Sequence, residues 1–234
     1  MVNQKEKDYY IKKKRILIRQ FDAATSIAKN ILSKYFGEAK FNELITKARA
    51  DFETLLPQIP YIGGKDSHLT ESLISSVILL PLLRIFEKEG LDFYEIGKLA
   101  YDLFEAFYKF IPPTNDIFSE EYINQEKENA KNSKLRKYPG DWVFDFVEGD
   151  GKTFTYGINY FECGVHKFYK SQDAEHFMPI VCIADFAQAQ AYGYGLKRTQ
   201  TIGNGAPLCD FRYIINGITP RAWPPDNLLE FKKK

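Results

Sequence analysis

"WVFDFVEGDGKTFTYGINYFE" (residues 142–162) is the stretch where the pattern of this chain changes. WVFDFVE (142–148) is crowded with β-branched and aromatic residues, the texture of a strand. GDG (149–151) supplies the turn, and KTFTYGINYFE (152–162) returns in the same texture. The two runs read as an antiparallel hairpin. Upstream of Pro139–Gly140 the apolar spacing is helical, and downstream glycine becomes frequent. The hairpin therefore divides a helical part from a mixed one.

Working backwards, YYIKKKRILIRQFDAATSIAKNILSKYF (9–36) reads as a helix that stops near Gly37. A second helix runs from about Glu38 to Leu56 and stops before Pro57. LTESLISSVILLPLLRIFEKEG (69–90) follows, with Thr70 as the expected N-cap and Gly90 as the stop. Pro81 lies inside it and is expected to kink or split it. In DFYEIGKLAYDLFEAFYKF (92–110), Phe93, Ile96, Ala100, Leu103, Phe107 and Phe110 recur at steps of three and four, one helix face. Pro112–Pro113 ends this helix, and Ser119 to Lys137 reads as helix then linker.

Working forwards, residues 164–192 are helical in pattern, with an interruption near Pro179. LKRTQTI (196–202), GNGAP (203–207) and LCDFRYII (208–215) make a second hairpin. The expected class is α+β: an N-terminal helical part, then an antiparallel sheet of two hairpins around a helical insert, in the order β-β-α-β-β. The expected division is 1–138 helical and 139–234 α+β, together forming one compact unit. The 234 residues are ample for a core.

Composition removes several function classes. Lys plus Arg (32) nearly equals Asp plus Glu (31), so no basic face for nucleic acid is expected. The Lys12–Arg15 run sits in a helical pattern beside Glu6 and Asp8 and reads as a solvated face. VILLPLL (77–83), the longest apolar run, is too short to span a bilayer. Met1 to Tyr10 is polar and carries no signal peptide pattern. Three cysteines give no disulfide framework, so free thiols in a reducing cytoplasm are expected. No Ser–His–Asp signature, dinucleotide fingerprint or HExxH pattern is present.

All three cysteines fall in the C-terminal part, and each has a polar neighbour at short range: Cys163 with His166, Cys182 with Asp185, and Cys209 with Asp210. Cys182 and Asp185, three apart on a helix, share a face. Spacing alone leaves two readings open. In one, the three are small apolar residues in a core. In the other, they meet in a pocket as a nucleophilic thiolate or as a thiolate set on zinc. Arg198 and Thr199 precede the GNG turn, and Asp210 and Arg212 follow it on one strand face. They form either an exposed cross-strand ion pair or an anion clamp. PYIGGKDSHLT (60–70) reads as a structural turn before a helix start. His68 is expected at the surface.

IPYIGG, WVFDFVEGDGKTFTYGINYFECGVHKFYK, PIVCIADFAQAQAYGYGLKRTQTIGNG and CDFRY together resemble the L-2-amino-thiazoline-4-carboxylic acid hydrolase family, from about Leu44 to Tyr213. The most specific parts are Glu162–Cys163, Cys182-x-x-Asp185, Leu196-x-Arg198-Thr199 and Cys209-Asp210-Phe211-Arg212. His166 and Pro81 stand outside this pattern. The resemblance implies a small-molecule hydrolase that opens a thiazoline-like ring to a carbamoyl-cysteine-type product. It turns the three cysteines from core residues into site candidates. In that reading Asp185 or Asp210 accepts hydrogen bonds from the ring amidinium, and Arg198 or Arg212 grips a carboxylate. Cys163, Cys182, Cys209, Asp185 and Asp210 are then the catalytic candidates, and Glu162, Arg198, Thr199 and Arg212 hold substrate. Cys163 precedes a helix start, which favours a thiolate. No cofactor is expected, with zinc on the three cysteines as the alternative. The partner expected is a small molecule, with no nucleic acid or membrane, and with self-association possible. A non-catalytic binding or sensor module for an amino-acid-like ligand is the competing class. Cys209, Asp210 and Arg212 are expected to form one pocket wall, which on a regular strand needs a bulge at Cys209.

Overall fold

The computed structural model describes residues 6, 8–113 and 115–232. The chain divides into two compact units. One comprises the residues through Phe107 together with Tyr138–Gly140, and the other Tyr108–Lys137 with Asp141 onward.

The first unit is helical. A single turn at Tyr9–Lys12 leads into α1 (Lys14–Phe36), followed by α2 (Glu38–Leu55), α3 (Thr70–Lys88) and α4 (Phe93–Phe110), which crosses the boundary between the units. Gly37 at φ +83° makes the break between α1 and α2, a conformation that costs glycine little. Phe21 of α1 stacks on Phe52 of α2 with ring centroids 5.1 Å apart. α3 buries residues on every side, including Leu73, Val77, Leu80 and Leu83, as a helix at the centre of a bundle does.

Three expectations are corrected here. Helix α3 runs through Pro81 without being split. Thr70 is the first residue of α3 rather than its cap: its hydroxyl donates to the Gly64 carbonyl at 2.6 Å and ties the preceding loop down. In α4 the buried stripe is Ile96, Leu99, Ala100 and Leu103 with Gly97 and Tyr101, while Phe93 and Phe110 are exposed. Gly90 does end α3, at φ +87°, with its amide on Glu87. The double glycine at 63–64 is a structural turn, since a Cβ on Gly64 would lie 2.6 Å from the Tyr9 ring.

The second unit carries the sheet. Helix α5 (Glu120–Ser133) starts at Ser119, whose extended backbone and Oγ, 3.2 Å from the Tyr122 amide, make an N-cap. Ser119→Ala is expected to cost about 1 kcal/mol, read as a lower urea midpoint. Strands β1 (Val143–Glu148), β2 (Tyr156–Glu162), β3 (Gly195–Lys197) and β4 (Cys209–Ile214) form one antiparallel sheet in the order β1-β2-β4-β3. The turn between β1 and β2 is built by Asp150, whose carboxylate accepts the amides of Lys152, Thr153 and Phe154. Between β2 and β3 lie α6 (Gly164–Ser171), α7 (Met178–Cys182) and α8 (Ala184–Tyr192), with Pro179 at the start of α7.

The α+β class and the β-β-α-β-β order hold. The second hairpin is looser than expected, because β3 ends at Lys197 and residues 198–208 form a long connection with a 3-10 turn at Ile202–Asn204. No helix among the described residues is long and apolar enough to cross a membrane.

Candidate active site

Register decides which side chains meet. Tyr160 pairs with Cys209, Ile158 with Phe211 and Tyr156 with Tyr213. Phe144 pairs with Tyr160 and Phe146 with Ile158. Directly paired residues share a face, so one face of the sheet carries an aromatic surface with Ile158 and Cys209 set into it. Its rings are in contact: Phe144 on Tyr160, Tyr160 on Phe211, and Tyr156 stacked between Phe146 and Tyr213. Tyr194 extends the surface beside Tyr213.

The three cysteines reach this face from three different elements. Cys209 begins β4, buried, with the Ile202 amide 3.2 Å from its Sγ. Cys163 sits at the N-terminus of α6 and Cys182 at the end of α7, both half-buried. Gly203 lets the connection pass close to Cys182, since a Cβ there would lie 2.9 Å from Sγ. The charges of Arg198, Cys209, Cys163 and Asp185 all act on Cys182, so these five groups form one cluster.

Arg198 anchors the cluster. Its Nε and Nη2 make a bidentate pair with Glu230 at 2.6 and 2.7 Å, Nη1 donates to Asp185 Oδ2 at 2.8 Å, and Nη2 also donates to the Cys182 carbonyl at 2.8 Å. The guanidinium lies between the rings of Phe186 and Phe211, 4.9 and 4.8 Å from their centroids. Burial opposes its charge, but Glu230 and Asp185 more than offset this, so its pKa is raised. Side-chain exposure is 1% for Arg198 and 0% for Glu230.

Asp185 is different. It retains 43% of its side-chain surface, and only Oδ2 is engaged among the described residues. Cys163, Cys182, Tyr160 and Tyr213 also keep accessible surface. Yet burial is the largest influence on the pKa of all five and raises each. The five groups form a crowded, partly accessible cluster beside the aromatic sheet face. In Cys163 the amides of His166 and Val165 and the Trp142 side chain favour the thiolate, and burial outweighs them. Cys209 is pushed up to about 12, chiefly by burial.

The remaining sequence candidates lie elsewhere. β4 is regular through Cys209, with no bulge there, so Asp210 and Arg212 point to the opposite sheet face. Asp210 accepts the amides of Thr199 and Gln200 at 2.8 and 2.9 Å, and with them the Thr199 hydroxyl, which fixes the connection after β3. Arg212 lies across Gly157, donates to Asn159 at 2.9 Å and covers the Phe154 ring. The expected single wall of Cys209, Asp210 and Arg212 is thus divided between two faces. Glu162 pairs with Arg136 and Lys167, and His166 with Glu175. Among the described residues no group of three His, Cys, Asp or Glu side chains that could hold a metal ion is found.

Glu230 escaped the sequence reading because one of two acids in a loop-like tail, RAWPPDNLLEFKKK, carries no signal. Tyr160 and Tyr213 had one, the abundance of aromatics, but without their positions.

Residues 116–213 match the model of a family described as L-2-amino-thiazoline-4-carboxylic acid hydrolase, the family that the sequence resembles. The match spans the sheet, all three cysteines, Asp185 and Arg198, and it ends before Glu230. No curated protein matches the chain, and no solved structure does.

Proposed function

We propose that the protein is a hydrolase of a small, cyclic amidine-type molecule, a thiazoline-like ring, and that the partly accessible cluster on the aromatic sheet face is its active site. The observation that carries this reading is the clustering of Cys163, Cys182 and Asp185, each partly accessible, around Arg198. The family match over the same elements supports it.

In this reading Asp185 Oδ1 accepts the ring amidinium, and Arg198 is a positioning residue that holds Asp185 and the end of α7 in place. The thiol of Cys163 loses its proton through water to Asp185, whose charge reaches it. Sulfur adds to the ring carbon between nitrogen and sulfur. The ring C–S bond breaks, and the departing sulfur takes a proton. Water then adds to the same carbon and releases Cys163 as a thiol. The balance is one water gained and a carbamoyl-cysteine-type product with a free thiol. The chemistry rests on side chains alone.

The test is to incubate the protein with 2-amino-2-thiazoline-4-carboxylate and with 2-amino-2-thiazoline. Mass spectrometry reads the gain of water and a thiol reagent the opened ring. Opening of at least one ring is expected. The rate should fall as pH drops through the raised pKa of Asp185, since the protonated acid no longer accepts. Failure to open either ring, with the thiols kept reduced, sinks the proposal. One observation favours a second reading, a binding module: burial raises all three thiols away from reactivity. That reading expects the ligand to be bound and recovered unchanged.

A further inference from the structure

We infer that Glu230 is a positioning residue of the proposed site: delivered by the C-terminal segment, it occupies the two-pronged edge of Arg198 and so leaves Asp185 one oxygen free for substrate. This rests on the cluster being the active site, as proposed above.

The geometry of the guanidinium carries the inference. Its Nε meets Glu230 Oε2 at 2.6 Å and its Nη2 meets Oε1 at 2.7 Å, the bidentate pairing in which arginine holds a carboxylate best. Nη2 also donates to the Cys182 carbonyl at 2.8 Å. Asp185 is left with Nη1, through Oδ2 at 2.8 Å. One guanidinium thus serves two carboxylates unequally. The sealed Glu230 takes two bonds, and Asp185, with 43% of its side chain exposed, takes one. Without a carboxylate at position 230, Asp185 would be the buried cation's remaining acid. A bidentate grip would then draw in Oδ1, the oxygen that the proposed reaction needs.

The segment that brings Glu230 is fastened. Thr219 donates to the Tyr194 carbonyl at 2.7 Å and accepts the Leu196 amide at 2.8 Å, which pins it to β3, the strand that leads into Arg198. Ala222, Trp223 and Pro225 are buried along the way, and Glu230 sits in a 3-10 turn, Leu229–Phe231. All of these residues lie beyond 213, where the family match ends.

The surrounding charges make the role measurable. Among the described residues, Arg198 and Glu230 act on Asp185, and Asp185 acts on Cys163, Cys182, Cys209, Tyr108, Tyr160, Tyr194 and Tyr213. Burial raises every one of these thiols and phenols, so they stay uncharged at acid pH and Arg198 and Glu230 are the charges that bear on its titration. Arg198 favours the charged form of Asp185, and Glu230 opposes it.

Glu230→Gln keeps the volume, removes the charge and leaves Arg198 one carboxylate, so the cluster stays paired. It is expected to lower the plateau of kcat/KM for ring opening at least ~10-fold and to move the acid limb to lower pH by about one unit. Carbon-13 NMR of the Asp carboxyls in the full chain, with the Asp185 signal identified by Asp185→Asn, follows the same titration without substrate. The wild-type midpoint should lie above the ordinary value for Asp, and Glu230→Gln should lower it. A lost rate with limb and midpoint unmoved would make Glu230 merely structural and overturns the inference, as does an undiminished plateau. A wild-type midpoint below the ordinary value overturns it too, since Asp185 would already be gripped, and this reading needs no variant to fold. A lowered midpoint in a chain that opens neither ring keeps Glu230 as the residue that places Asp185 and removes the hydrolase reading. Ring opening with an unmoved midpoint does the reverse.

Discussion

Arg198→Met is expected to cost about 3–5 kcal/mol of stability, the loss typical when one partner of a buried ion pair is removed. The reason is what stays behind. Glu230, with 0% of its side chain exposed, would keep its carboxylate and lose its cation. The Cys182 carbonyl and Asp185 would each lose a donor as well. Methionine restores the volume between Phe186 and Phe211 but none of these bonds. Urea unfolding of the variant beside Arg198→Met/Glu230→Leu separates charge from packing. The double variant should recover most of the loss, because no charge remains uncompensated. A loss under about 1 kcal/mol for the single variant would mean that the pair behaves as a surface pair does, contrary to its burial.

Cys163→Ala is expected to lower kcat/KM for ring opening on the order of a thousandfold or more, as removal of a nucleophile does. Cys163 alone among the three combines accessible surface with the start of a helix, whose amides at Val165 and His166 favour its thiolate. Cys209 is buried, and its Sγ already takes the Ile202 amide, so Cys209→Ala should act on stability first. Burial raises the Cys163 pKa, so the thiolate fraction at neutral pH is small and grows as pH rises. The rate should therefore climb through the ordinary thiol range and continue above it. Retained activity in Cys163→Ala together with its loss in Cys182→Ala would move the nucleophile to α7. Retention in both would leave Asp185 as a base acting directly on water.

Much of the fold was legible because it rests on local rules. The Pro139–Gly140 boundary of texture, the Asp150 turn, the stops at Gly37 and Gly90 and the break before Pro179 each depend on a few adjacent residues. Where a local rule met a tertiary demand, the tertiary demand prevailed. Pro81 is carried inside a helix buried on all sides, where packing outweighs the missing amide. Thr70 gives its hydroxyl to the Gly64 loop instead of capping.

By itself the sequence determined the class of fold; it also set Cys182 and Asp185 on one helical face, whereas the chain breaks at Ile183 and places them at the end of α7 and in the first turn of α8. Period-2 alternation also placed Cys209 opposite Asp210 and Arg212, and the regular strand keeps them there. Only the tertiary structure decided which candidates meet. Cys163, Cys182, Cys209, Asp185 and Arg198 come from elements up to 46 positions apart, from 163 to 209, and no spacing rule links them. Glu230 enters from the tail to close the Arg198 pair. That closure turns Arg198 from a possible clamp for substrate into a support for Asp185. The cause is desolvation: a guanidinium with 1% exposure needs its compensating charge within the fold, and Glu230 supplies it from 32 positions away.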